Sequence, residues 1–64
     1  MHFDKGKSLT EARNRMALSR EEMARALYLD PLYLAQLEDG RRDVDEFFVT
    51  RAEELARAFE KRNQ

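Results

Sequence analysis

Pro31 is the only proline of the chain, and Gly40 is one of its two glycines. Together they bracket one short segment, PLYLAQLED. Asp30 is a good N-cap, and proline suits the first helical position because an N–H there would have no helical partner. Glycine readily adopts the left-handed conformation that stops a helix. The segment therefore predicts a helix from Pro31 to about Asp39. Its inward residues should be Leu34 and Leu37, with part of Ala35.

Two capping boxes precede this helix. In a capping box, a serine and a glutamate three residues later satisfy each other's backbone donors. Ser8 with Glu11 predicts a first helix over about 9–16, and Ser19 with Glu22 predicts a second helix over about 20–27. The inward residues of these two helices should be Leu9, Ala12, Met16, Met23, Ala24 and Leu27.

The last helix has two possible starts. One box begins at Asp43 and another begins at Thr50. We favour one long helix over about 44–61, with a bend allowed near Thr50, because a single apolar stripe at helical spacing runs through it. The stripe consists of Val44, Phe48, Ala52, Leu55 and Phe59.

The composition favours a single all-α domain. The 64 residues are rich in Ala, Leu, Glu and Arg, which are good helix formers, and a chain of this length forms one small core. We expect a flexible N-terminal arm over 1–7 and a domain over 8–64. Cysteine is absent and the one histidine, His2, is near the N-terminus. We therefore expect no disulfide, no metal and no other cofactor.

The net charge does not indicate which class of partner this chain binds. Twelve basic and 13 acidic residues give a net charge of −1, which provides no gross attraction to nucleic acid or anionic lipid. No apolar run approaches the roughly 20 residues of a membrane span, and MHFDKGKS lacks the apolar core of a signal peptide. We expect a cytoplasmic protein whose partner depends on where its charges lie.

Two motifs occur together near the middle of the chain. SREEMA, residues 19–24, is followed by Leu27 and then by LAQLEDGRR, residues 34–42. Their composition and mutual spacing resemble the Cro/C1-type helix-turn-helix family of phage and bacterial transcriptional regulators, over about residues 9–59. The resemblance implies a lambda-repressor-like bundle of four to five helices. It also implies a homodimeric repressor or autoregulator that binds a palindromic operator in double-stranded DNA.

The resemblance also assigns the DNA contacts. In this family the second helix crosses the DNA backbone and the third lies in the major groove. The implied phosphate contacts are Arg20, Arg41 and Arg42. The implied base contacts are Pro31, Leu32, Tyr33 and Gln36. The Gln36 amide can pair with N6 and N7 of adenine, and Leu32 and Tyr33 can pack on thymine methyl groups, which predicts an A·T-containing half-site.

Three further features follow from the comparison with the family. Arg13 and Glu38 stand where members have an ion pair between the first and third helices. Tyr28 stands where many members have glycine, and a positive φ there costs a tyrosine on the order of 1 kcal/mol. The segment after Gly40 is longer than is usual and adds aromatic residues. The candidate dimer interface consists of Phe47, Phe48 and Phe59.

A protein-interaction module with the same fold is the alternative function. Exposed Leu32 and Tyr33 suit a protein partner, such as the toxin of an antitoxin-like protein, as well as they suit DNA. An enzyme is not expected, because the chain lacks cysteine, has only the terminal His2 and shows no carboxylate pair within an apolar stripe. The family includes phage repressors, restriction–modification controllers, antitoxins and autoregulators of anti-CRISPR operons, and the sequence does not choose among them.

Overall fold

The computed structural model describes residues 4–63, which are helical with short connections. Four helices follow one another: α1 (Lys5–Arg15), α2 (Arg20–Leu27), α3 (Pro31–Glu38) and α4 (Glu46–Arg62). α1 packs against α4 and α3, and α2 packs against α3 and α4. Residues 4–63 contain no strand, so the all-α prediction is confirmed for this part of the chain. The first three residues of the expected arm, among them His2, lie outside the described residues.

α1 begins earlier than the sequence pattern predicts. Asp4 is its N-cap, and the Asp4 side chain accepts a hydrogen bond from the N–H of Lys7 at 3.0 Å. Ser8 lies inside the helix and donates its hydroxyl to the Asp4 carbonyl at 3.2 Å. The capping box predicted for Ser8 and Glu11 is therefore wrong, and residues 5–7 of the expected arm are helical.

Gly6 allows the first turn of α1 to lie against the end of α3. A Cβ atom at Gly6 would lie 2.3 Å from the carbonyl oxygen of Leu37. Any side chain at this position would therefore push the two helices apart. The N-terminal turn of α1 is held by a contact between distant parts of the chain, which a local capping pattern does not reveal.

α2 and α3 begin where the capping patterns predict. Ser19 and Glu22 form both hydrogen bonds of their capping box. Asp30 caps α3 through its side chain. α3 ends at Glu38, and Gly40 then adopts a left-handed φ of 78°. These boundaries depend on neighbouring residues alone, which is why the sequence predicts them well.

α4 begins two residues later than predicted. Asp45 is its N-cap, and the Asp45 side chain accepts a backbone hydrogen bond from the first turn at 2.9 Å. Neither Asp43 nor Thr50 begins the helix. Val44 therefore belongs to the segment before α4, although its side chain is buried. The prediction of one long helix holds, but its start near Val44 is wrong.

The buried face of α4 is also shifted from the predicted stripe. Val49, Ala52 and Ala56 are buried, whereas Phe59 is 38% exposed. Phe48 packs only at the edge of the core. The predicted stripe is therefore wrong at Phe59, which shares a side of α4 with Ala52 and Ala56 but lies near the C-terminal end of the helix, where it is only partly covered.

The core draws on all four helices. Its largest fully buried side chains are Leu9, Met23, Leu34 and Leu37. Every residue predicted to face fully inward from the first three helices is buried. None of the helices within residues 4–63 has both the length and the apolar character needed to cross a bilayer.

Candidate nucleic-acid interface

Residues 28–30 join α2 to α3 in a tight connection. Tyr28 ends α2 in the left-handed conformation, with φ 59° and ψ 40°, and the N–H of Leu29 donates to the carbonyl of Ala24 at 2.8 Å. The Tyr28 residue is 92% exposed. Its side chain therefore gains little packing to offset a backbone conformation that is costly for a residue with a Cβ atom.

One side of α3, which we call the α3 outer face, carries Leu32, Tyr33 and Gln36. Leu32 is 69% exposed, and Tyr33 and Gln36 are half-buried. Residues three and four apart are neighbours on a helix surface, so these side chains form one surface away from the buried leucines. Pro31, at the first position of α3, is also exposed. The fold thus brings together the four residues predicted to contact bases.

Arg42 folds back from the segment after Gly40 onto the α3 outer face. The central guanidinium carbon of Arg42 lies 5.4 Å from the centre of the Tyr33 ring, within the range of a cation–π contact. The Nε of Arg42 donates a hydrogen bond to Oε1 of Gln36. We call these three residues the Arg42 cluster. The family resemblance implies only a phosphate contact for Arg42, and the sequence does not reveal this arrangement.

Glu38 connects α3 to both preceding helices. Two nitrogens of Arg13 donate to its carboxylate, Nε to Oε2 at 2.9 Å and a terminal nitrogen to Oε1 at 3.2 Å. The Nε of Arg20 also donates to Oε1, at 2.9 Å. The Glu38 side chain is only 1% exposed. A nearly buried carboxylate thus holds two guanidinium groups and fixes the orientation of α3.

Arg20 is more strongly engaged than the sequence pattern predicts. A second contact joins its terminal nitrogen to the carboxylate of Asp39 at 3.2 Å, and the hydrogen bond with Glu38 raises the pKa of Arg20 above its ordinary value. Its side chain remains 40% exposed. Because the carboxylates of Glu38 and Asp39 balance the charges of Arg13 and Arg20, this network adds little net positive charge to the surface. A phosphate contact by Arg20 stays a prediction.

The free positive charge beside α3 lies in the segment that follows it. Arg41 and Arg42 are both exposed. Neither forms an ion pair with another residue within 4–63. These two arginines, with charges that no carboxylate balances directly, are the strongest candidates in the described part of the chain for contact with an anionic ligand.

Lys5 is a neighbouring cation that the sequence pattern does not single out. An open cleft of about 600 Å³ lies between the start of α1 and the segment after α3, and Lys5 and Arg42 both line it. Asp4 and Asp43 line the same cleft, so its charge is mixed. The expected N-terminal arm includes Lys5, and the Asp4 N-cap is the signal in the sequence that predicts a helix there.

The candidate dimer residues do not form a single patch. Phe47 is 66% exposed near the start of α4, where its ring meets that of Phe48 edge-on at 5.6 Å. Phe59 lies on the same helix about 18 Å further along, at a rise of 1.5 Å per residue. There it lines a separate apolar groove with Met16 and Leu55. A dimer interface on α4 stays a prediction.

In comparisons with known proteins, no family model, no curated protein and no solved structure matches the chain. We therefore derive a function from the residues themselves, from their geometry and from the resemblance of the two motifs.

Proposed function

We propose that the protein is a sequence-specific regulator that binds double-stranded DNA, with α2 and α3 as a helix-turn-helix and α3 in the major groove. The observation that carries the proposal is the α3 outer face with exposed Arg41 and Arg42 beside it, neither of which forms an ion pair within residues 4–63. The resemblance of SREEMA and LAQLEDGRR to the Cro/C1-type motif points to the same function.

The dimensions of α3 suit this role. It has eight residues and is therefore about 12 Å long, close to the width of the major groove. Leu32, the most exposed apolar residue of α3, is available for a thymine methyl group. Gln36 supplies hydrogen-bonding groups one turn later. Arg41 lies just beyond α3, where a phosphate contact would position the helix without selecting a sequence.

As a regulator, the protein would act by occupying a promoter, and its own promoter is the first target to test. A homodimer would place two copies of α3 about 34 Å apart, one helical turn of DNA, on a palindromic operator. Repression by occupancy needs no effector pocket. The two exposed phenylalanines on α4 are the candidate contacts between the subunits.

The first test is binding to the DNA upstream of the protein's own coding sequence at two salt concentrations. If Lys5, Arg41 and Arg42 each neutralise one phosphate per subunit, the logarithm of the binding constant of a dimer should fall with a slope of about −5 against the logarithm of salt concentration. A slope near zero would contradict the proposal.

The second test separates specific from general binding. Gln36→Ala should weaken binding to the specific site by about 1–3 kcal/mol and change binding to random DNA little. The matched control is Asn14→Ala, which removes an exposed amide from α1 and should change neither affinity. Equal losses on both DNAs would argue against base contact by Gln36.

A protein-interaction module remains the second candidate, because Leu32 is apolar and 69% exposed. Such a surface gains free energy by burial against an apolar partner. This function predicts that neither salt nor Gln36→Ala alters DNA binding. It also predicts that Leu32→Ser abolishes co-purification with a protein encoded beside it.

A further inference from the structure

We infer that Arg42 fixes the Gln36 amide as a hydrogen-bond donor, so that the α3 outer face selects guanine rather than adenine opposite Gln36. This inference rests on the proposed function and names the base that the proposed site would recognise. It differs from the expectation of an adenine contact, which treated Gln36 as a free amide.

The orientation of the amide follows from the hydrogen bond with Arg42. The Nε of Arg42 can only donate, so the atom of Gln36 that faces it is the acceptor Oε1. The Nε2 group of Gln36, with two N–H donors, is then the end of the planar amide that is directed away from the Arg42 Nε. The face therefore presents donors from Gln36 together with the terminal N–H groups of Arg42.

Arg42 is itself held in place from a second side. Its guanidinium carbon lies 5.4 Å from the centre of the Tyr33 ring, and a planar guanidinium stacks on such a ring in a way that an ammonium group cannot. Tyr33 is half-buried against the core, so the ring provides a fixed support. The orientation of Gln36 thus depends on a chain of contacts that ends in the core.

The bases differ in what they offer to such a surface. In the major groove, guanine presents two acceptors, N7 and O6, whereas adenine presents the acceptor N7 beside the N6 donor. An adenine pairing needs Oε1 of Gln36 to accept from N6. That oxygen keeps a second lone pair, but the N6 amino group could reach it only by approaching the cationic guanidinium that already donates to it. Guanine instead meets donors at both of its acceptors, so the cluster favours guanine.

The test is selection of binding sites from random double-stranded DNA with the wild-type protein and four variants. Gln36→Ala identifies the base pair that depends on Gln36. At that position the wild type should favour guanine over adenine by about tenfold or more. Arg42→Lys keeps the charge but loses the planar group and its Nε donor, so the preference should fall to threefold or less or turn towards adenine. Arg42→Ala should do the same with a lower affinity.

Arg62→Lys is the control, since Arg62 is an exposed arginine at the end of α4, outside the cluster and outside the proposed DNA contacts. It should leave the base preference unchanged. If the wild type selects adenine at the Gln36-dependent position, or if Arg42→Lys keeps the guanine preference, the inference is overturned while the proposed function stands. If no sequence is enriched at all, the proposed function fails and this inference falls with it.

A measurement without DNA tests the contact itself. The side-chain amide resonances of Gln36, assigned by their loss in Gln36→Ala, should shift on Arg42→Lys and remain in place on Arg62→Lys. Unchanged resonances in both variants would overturn the proposed orientation of the amide, whatever the DNA preference. Because Arg42 is exposed, these substitutions should leave the helical circular dichroism spectrum intact.

Discussion

At the scale of single residues, Tyr28 bears an identifiable strain. Its left-handed φ of 59° costs a residue with a Cβ atom about 1 kcal/mol, and the exposed ring recovers little of that free energy. A glycine adopts the same conformation without a Cβ clash. The residue therefore reduces the stability of the domain at a position where the fold does not use its side chain.

Tyr28→Gly should therefore stabilise the domain by about 1 kcal/mol, which raises the melting temperature by about 4–8 °C in a domain of this size. Thermal denaturation followed by circular dichroism measures the effect. The matched control is Ala58→Gly in the exposed part of α4, which should destabilise by about 1 kcal/mol because glycine is a poor helix former. A loss of stability in Tyr28→Gly would show that the ring has a packing role.

Gly6 is the opposite case, because the fold leaves no room for a side chain at this position. A Cβ atom would lie 2.3 Å from a backbone oxygen of α3, and backbone cannot rotate away as a side chain can. We expect Gly6→Ala to destabilise the protein by about 1–3 kcal/mol, the usual cost of overpacking. Urea denaturation measures it. A neutral or stabilising effect, as the helix propensity of alanine alone would give, would mean that α1 does not pack this closely on α3.

At the scale of elements, Glu38 joins three helices through one carboxylate. Glu38→Gln keeps a hydrogen-bond acceptor but leaves Arg13, whose side chain is 16% exposed, without a charged partner. Removing one partner of a nearly buried ion pair is strongly destabilising. We expect a loss of about 3 kcal/mol in the free energy of unfolding, measured by urea denaturation.

The control for Glu38 is the exposed pair of Glu53 and Arg57 on α4, with nitrogen and oxygen 3.7 Å apart. Glu53→Gln should cost no more than about 0.5 kcal/mol, as is usual for exposed pairs four residues apart. Similar losses in Glu38→Gln and Glu53→Gln would contradict the structural role of Glu38.

The elements also show which parts of the fold the sequence could predict. α2 and α3 follow from Ser19, Asp30 and Gly40, because each cap acts on residues a few positions away. The start of α1 could not be predicted in this way. Asp4 and Ser8 both offer a cap, and the close approach of Gly6 to α3 accompanies the earlier start.

The candidate site likewise has features that the sequence could predict and features that it could not. The α3 outer face follows from helical spacing once the ends of α3 are known. The contact of Arg42 with Gln36 does not, because it depends on the path of the segment after Gly40. The second ion pair of Glu38, with Arg20, also depends on the packing of α2 against α3, which no spacing within one helix gives.

At the scale of the whole molecule, the exposed phenylalanines of α4 bear on how the subunits would assemble. The exposed phenylalanines lie near opposite ends of α4. A two-fold contact can therefore use one end alone, or it can place Phe47 against the partner subunit's Phe59 in an antiparallel arrangement. Phe47 is the more exposed of the two and therefore gains more free energy on burial.

We expect Phe47→Ser to weaken self-association and binding to a full palindrome, while binding of one subunit to a half-site remains unchanged. Sedimentation equilibrium and titration of the two DNAs measure these effects. The control Asn14→Ala should change neither. If Phe47→Ser leaves both association and palindrome binding as in the wild type, the dimer contact lies elsewhere.

The shared carboxylate of Glu38 has a consequence for the thermodynamics of recognition. The ion pairs of Glu38 hold α1, α2 and α3 together before any ligand binds. Little of the backbone beneath the α3 outer face therefore has to be ordered during association. The entropic cost then falls mainly on a few side chains at the surface, Leu32 foremost among them. A protein built in this way meets its ligand as a nearly rigid body, and differences in affinity between ligands should appear mainly in the rates at which they dissociate.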